Sequence, residues 1–224
     1  MATTNSVFVH FTVFRRKEAG KLPADRLAAC GQEWEQILAA AQSEVQVRGV
    51  YSTVGFRADS DLMLWTISES PDALQRLTVQ LRRTEAGRNL ELSWAFMGVH
   101  RPAEFAPDHV PAFLRGVPPA RYISVYPFVR SEAWYLLPPA ERGRMLREHG
   151  ALGREFDDVL TNTTQCFGLT DYEWLLAFEA ERLDRIVDMI RHLRAAEARR
   201  YTKVEIPFIT GIRKPVGDAL ADLA

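Results

Sequence analysis

Between Tyr122 and Gly150 the chain brings together a phenol, a guanidinium, an indole and an imidazole. Tyr126 lies in an apolar, β-branched run, Tyr122–Phe128. Arg130 and Trp134 follow in the connection, and His149 falls at the end of a helix that Gly150 would close. A phenol can be oxidised, a guanidinium binds carboxylates through two parallel bonds, and a neutral imidazole is a metal ligand. The set suits a site for an anionic group that carries a metal. His109 adds a second imidazole, one able to take a proton near pH 7. Each residue also has a plainer reading. His149 would be a favourable cation at a helix C-terminus, and Tyr126 a strand aromatic. His109 and Arg130 would be solvated loop residues, and Trp134 a packing residue.

Other chemistries find no support. The sequence has no Ser-His-Asp order, no phosphate-binding glycine loop and no H-E-x-x-H. No two of His10, His100, His109, His149 and His192 stand four residues apart on one helix, so a multi-histidine zinc site is not expected. Cys30 and Cys166 lack metal-ligand spacing. They read as buried reduced thiols, which suits a cytoplasmic protein. A net charge of −1 gives no reason to expect nucleic acid or an anionic membrane surface. No apolar run approaches the roughly 20 residues that span a bilayer, and the N-terminus lacks the basic region and cleavage site of a signal peptide.

The elements that must position these residues come in two similar sets. Strands are expected at Val7–Phe14, Val45–Phe56, Leu62–Ser68 and Leu92–Met97. Helices are expected at Pro23–Gln42 and after the cap Ser70-Pro71-Asp72. The second half repeats the order. Its strands are Tyr122–Phe128, Val159–Phe167, Tyr172–Glu179 and Tyr201–Phe208, and its helices Pro138–Gly150 and Glu181–Arg199. Turns echo too, with Gly55-Phe56 and Asp61…Trp65 matched by Gly168-Leu169 and Asp171…Trp174. This predicts an α+β protein made of tandem duplicated ferredoxin-like βαββαβ units, with antiparallel sheets and helices outside, of the dimeric α+β barrel type. Residues 1–99 would be a half without cofactor and 121–224 the cofactor-binding half. The proline-rich segment 100–120 between them is long for a connection and holds His109.

Five motifs follow in order: Tyr-x-x-x-Tyr-Pro-Phe from Tyr122, Trp-Tyr-Leu-Leu-Pro from Trp134, His-Gly-x-x-Gly-Arg-Glu-Phe from His149, Asp-Tyr-Glu-Trp from Asp171, and Arg-His-Leu-Arg-x-x-Glu-Ala-Arg from Arg191. Their order and spacing resemble the chlorite dismutase superfamily, in its actinobacterial coproheme-decarboxylase branch. The resemblance covers nearly the whole chain and is strongest from His109 to Gly211. It implies that His149 is the proximal iron ligand, Tyr126 the catalytic tyrosine and His109, in His-Val-Pro-Ala-Phe, the distal acid/base. Arg130 and Trp134 would lie at propionates, and Ala198 would leave room for the macrocycle. Chlorite-degrading members carry an arginine where Thr161 falls here, so chlorite chemistry is not expected.

The implied reaction is hydrogen-peroxide-dependent decarboxylation of two propionates of coproheme (iron-coproporphyrin III) to vinyls, giving haem b. Coproheme would be both substrate and cofactor, with Tyr126 supplying an electron and a proton. The resemblance also implies a homopentamer, and a transient contact with ferrochelatase is plausible on the same ground. The alternatives are a non-catalytic haem-binding or signalling protein, an iron-free monooxygenase-like enzyme, and a chlorite dismutase or peroxidase-like enzyme, all on related folds.

Overall fold

The computed structural model describes residues 6–18, 24–105 and 110–224. The chain forms two compact units, Met1–His100 together with Ile209–Ala224, and Arg101–Phe208.

The first unit runs β1 (Phe8–Arg16), α1 (Leu27–Ala40), β2 (Gln46–Arg57), β3 (Ser60–Ser68), α2 (Pro71–Arg83), a single turn α3 (Glu85–Arg88) and β4 (Leu90–Val99). β1 pairs antiparallel with both β3 and β4, and β2 pairs with β3. Ser70 caps α2 as its sequence predicts, its hydroxyl accepting from the Ala73 N–H at 3.2 Å. Leu74, Leu77 and Leu81 recur at helical spacing and are buried against Trp34, Leu62 and Leu64. The Trp34 indole N–H donates to the Thr84 hydroxyl at 2.8 Å, which pairs the polar atom that Trp34 brings into that core.

The second unit runs β5 (Tyr122–Arg130), a short α4 (Glu132–Leu136), α5 (Pro139–Gly153), β6 (Leu160–Gln165), β7 (Trp174–Ala180), α6 (Leu183–Leu193), a 3-10 turn (Glu197–Tyr201) and β8 (Thr202–Val204). Its antiparallel strand order is β6-β7-β5-β8. Tyr126 lies opposite Leu176 and Phe128 opposite Trp174, while Thr161 lies opposite Phe178. Side chains alternate across a strand, so Tyr126, Phe128 and Arg130 share one face with Leu176, Phe178 and Thr161. The proline-rich connection is tied to this sheet from its described end. The Phe113 N–H donates to Asn162 Oδ1 at 2.9 Å and the Ala120 N–H to Glu179 Oε2 at 3.3 Å, and Asn162 Nδ2 donates to Glu179 Oε1 at 3.1 Å.

Both units show the β-α-β-β-α-β order and an antiparallel sheet, as expected of an α+β fold. Four details differ from the sequence reading. Gly150 does not close a helix, because α5 continues to Gly153. A glycine stops a helix by turning left-handed, and only Gly55, Gly116 and Gly168 have positive φ among the described residues. The helix expected to reach Arg199 ends at Leu193, and Ala196 is extended. Here burial of Ala198 beside Trp134 and Met145 outweighs the helix propensity of the run. The strand expected over Tyr201–Phe208 stops at Val204, before Pro207, which has no N–H for a ladder. The chain then enters β9 (Ile209–Arg213) and α7 (Val216–Ala221). β9 pairs with β2, so this closing segment belongs to the first unit rather than to the half in which the sequence reading placed it.

Candidate functional site

The second unit holds an open cleft lined by residues of β5, β7, α5, α6 and the 3-10 turn. The sheet supplies one wall through Tyr126, Phe128, Leu176 and Phe178. Ile190 and Leu193 of α6 add apolar surface, and His149 reaches in from α5. Three guanidiniums line it: Arg130, Arg194 and Arg199. One carboxylate, Glu205, stands among them.

Tyr126 is 5% exposed and fixed by rings, lying 4.5 Å from Phe208 in a stacked pair and 5.6 Å from Phe178 edge-on. Burial, and after it the charge of Glu205, pushes the phenol well above the usual tyrosine range. At neutral pH Tyr126 therefore keeps its O–H. His149 stands one turn before the end of α5, not at its last residue. Burial first, and then the Arg130 charge, lowers the pKa of its imidazole. It has no hydrogen-bond or ion-pair partner among the described residues. A half-buried neutral imidazole with a free lone pair is a ready metal ligand.

Arg130 is held rigidly. Its Nη1 donates to the Ala198 carbonyl at 2.7 Å, and its guanidinium lies 4.4 Å from the Trp134 ring centre and 5.0 Å from that of Phe128. Burial pulls its pKa down to about 10, so it stays charged at neutral pH. Trp134 does not line the cleft. It is buried in α4 with Met145, Ala198 and Tyr201, and supports Arg130 from beneath. Ala198 does line the cleft, from the 3-10 turn rather than from a long helix, and its carbonyl fixes Arg130. The backbone N–H of Arg130 donates to Glu173 Oε2 at 2.8 Å, the oxygen that also accepts the Tyr135 hydroxyl at 2.6 Å. Four of the six expected site residues, Tyr126, Arg130, His149 and Ala198, thus meet at one cleft, and Trp134 stands behind it. The sixth, His109, lies outside the described residues.

Sequence reasoning on single residues passed over Arg194, Arg199 and Glu205. The two arginines stand in the motif that begins at Arg191, so their signal was present. Glu205 carried none, because a strand was expected through it. Glu205 forms ion pairs with Arg194 and, at 2.8 Å, with Arg199. The other expectations can be placed as well. Cys30 and Cys166 are free and buried, and burial pushes the Cys166 thiol up to about 11. Among the described residues no cluster of three potential metal ligands occurs, and no helix is long and apolar enough to cross a membrane. The residues present fit an anionic iron porphyrin. They offer one unpartnered imidazole for the metal, guanidiniums for carboxylates and apolar walls for a macrocycle.

Comparison with known proteins agrees. The chlorite dismutase family profile matches residues 27–214. The chain is 48% identical over 217 residues to the coproheme decarboxylase of Mycolicibacterium smegmatis, covering 96% of this chain and 94% of that one. It is 28% identical over 162 residues to the coproheme decarboxylase of Thermus thermophilus, covering 67% of this chain and 63% of the other. Among solved structures, a chlorite dismutase from Candidatus Nitrospira defluvii superposes with a TM-score of 0.87 at 19% identity, over 99% of this chain and 96% of that one. At that identity the superposition speaks for the fold alone.

Proposed function

The chain belongs to the chlorite dismutase family, and on that premise we propose that it converts coproheme to haem b by oxidative decarboxylation of two propionates, with hydrogen peroxide as oxidant. Each decarboxylation takes two electrons and one carbon dioxide from a propionate and leaves a vinyl group. One hydrogen peroxide is reduced to two waters, and one proton is consumed. The observation that carries the reading is the convergence of an oxidisable phenol, a free imidazole and three guanidiniums on one cleft.

The bound iron porphyrin supplies the redox chemistry, and the chain supplies its placing. His149 offers a neutral nitrogen to the metal, because burial beside Arg130 disfavours its protonation. Arg130, pinned by the Ala198 carbonyl and the Trp134 ring, presents a charge of fixed direction to a carboxylate. Tyr126, kept protonated by burial, holds one electron and one proton that it can give up together and recover from the β-carbon of a neighbouring propionate. Its ring is clamped by Phe178 and Phe208, which holds the phenol in one orientation. His109 is the proposed proton acceptor for peroxide. After the first carboxyl group leaves, the second propionate must come to the same phenol.

Chlorite chemistry is the weaker reading. Thr161 shares the sheet face of Phe178, and no basic residue occurs in β6. A haem carrier would need His149 but no protonated phenol beside it. The homopentamer and the contact with ferrochelatase belong to the same proposal and rest on the family resemblance, and the cytoplasmic location rests on the two free cysteines. Adding iron-coproporphyrin III and then hydrogen peroxide to the purified protein tests the reading. Stepwise loss of two carboxyl groups by mass spectrometry is the expected result, and recovery of intact coproheme would overturn it.

A further inference from the structure

The carboxylate of Glu205 occupies two of the three guanidiniums that a substrate carboxylate could use. It bonds to Arg194 and to Arg199, with 17% of its side chain exposed against 38% and 39% for the arginines. All three groups line the cleft. The ladder that would hold a strand in place has ended at Val204, and Glu205–Phe208 makes no strand pairing among the described residues. Three residues beyond Glu205, Phe208 stacks on Tyr126. One short segment therefore carries both the counter-ion of the arginine pair and a ring that clamps the phenol.

We infer that Glu205 is a positioning residue, an internal stand-in for a substrate carboxylate that holds Arg194 and Arg199 in the cleft until a porphyrin carboxylate displaces it. The inference rests on the porphyrin-binding reading above. In the free protein the Glu205 carboxylate neutralises the two guanidiniums, a role that a bound porphyrin carboxylate takes over. The arrangement has a definite effect on affinity. A ligand that must displace Glu205 binds only the fraction of molecules in which the arginines are free, and its apparent affinity falls by that fraction. Glu205 is thus a built-in brake on tight binding in a protein that must also let its product go.

The test uses iron-free coproporphyrin III, a tetracarboxylate that leaves metal ligation by His149 out of the measurement. Its affinity for the full chain is followed by porphyrin fluorescence. In Glu205→Gln, which keeps the side-chain shape and removes the charge, coproporphyrin should bind about tenfold more tightly. Glu205→Asp keeps the charge and should stay near the wild-type affinity. Weaker or unchanged binding in Glu205→Gln, with thermal unfolding intact, would overturn the inference and leave Glu205 a scaffold for the arginines. If neither the wild type nor the variants bind coproporphyrin, the porphyrin reading itself fails.

Discussion

At the scale of single residues, the proposed chemistry divides between a phenol that must keep its proton and an imidazole that must not take one. Burial serves both, because it disfavours whichever form is charged. Tyr126→Phe fills nearly the same volume between Phe178 and Phe208 but has no oxidisable O–H. It should bind coproheme with unchanged affinity and lose the first decarboxylation; mono-vinyl product forming at the wild-type rate in mass spectra would refute the role. His149→Ala should lose the iron–histidine stretch in resonance Raman spectra of the ferrous complex, and a retained stretch would refute the ligand. His109→Phe should keep coproheme binding and slow the first peroxide step about 10²–10⁴-fold in stopped-flow traces. Much of this was legible in the sequence, because Tyr126 and His149 lie in the quoted motifs and Arg130 follows the first of them closely. The pairing of Arg194 and Arg199 with Glu205 was not. It depends on where α6 stops, and nothing local in the Arg-Ala-Ala-Glu-Ala-Arg run says that a buried Ala198 will end the helix.

The eight strands and four long helices read from the sequence are present in that order, with several ends wrong, while β9, α7 and the short α3 and α4 were missed. Kinds follow from apolar periodicity, which burial enforces directly. Ends follow from dihedral choices and tertiary contacts that the sequence states weakly. Gly150 illustrates this: as a helix terminator it would need positive φ, yet it continues α5, and the nearest atom to an added Cβ there would be Arg154 Nη1 at 3.7 Å. Gly150→Ala should therefore stabilise the second unit by about 0.5–1 kcal/mol, because alanine has less unfolded-state freedom to lose. Urea unfolding measures it; a destabilised variant would show that the helix needs glycine there. The cap of α2, by contrast, was legible in Ser70-Pro71-Asp72 and is formed as read.

At the scale of the whole molecule, acid should weaken the fold through buried imidazoles. His10 on β1 is 8% exposed, and burial lowers its pKa to about 4. The unfolded chain takes up that proton near pH 6.5. As pH falls from 6.5 toward 4 the unfolded state binds a proton that the folded state refuses, so stability drops by on the order of 3 kcal/mol for His10. His149 adds to the loss with the same sign. Unfolding midpoints measured between pH 7 and 4.5 should fall steeply in the wild type and less in His10→Leu; parallel curves would sink this account. The two units also divide the tryptophans. Trp34, Trp65 and Trp94 belong to the first and Trp134 and Trp174 to the second. Trp134 lies under Arg130, and Trp174 stacks on Phe128 at 6.0 Å, so each stands one side chain behind the cleft wall. An indole that close to a porphyrin passes its excitation to it instead of emitting. Intrinsic ultraviolet emission is therefore an optical gauge of occupancy written into the wall itself, which dims as the cleft fills and recovers as it empties, with no label attached.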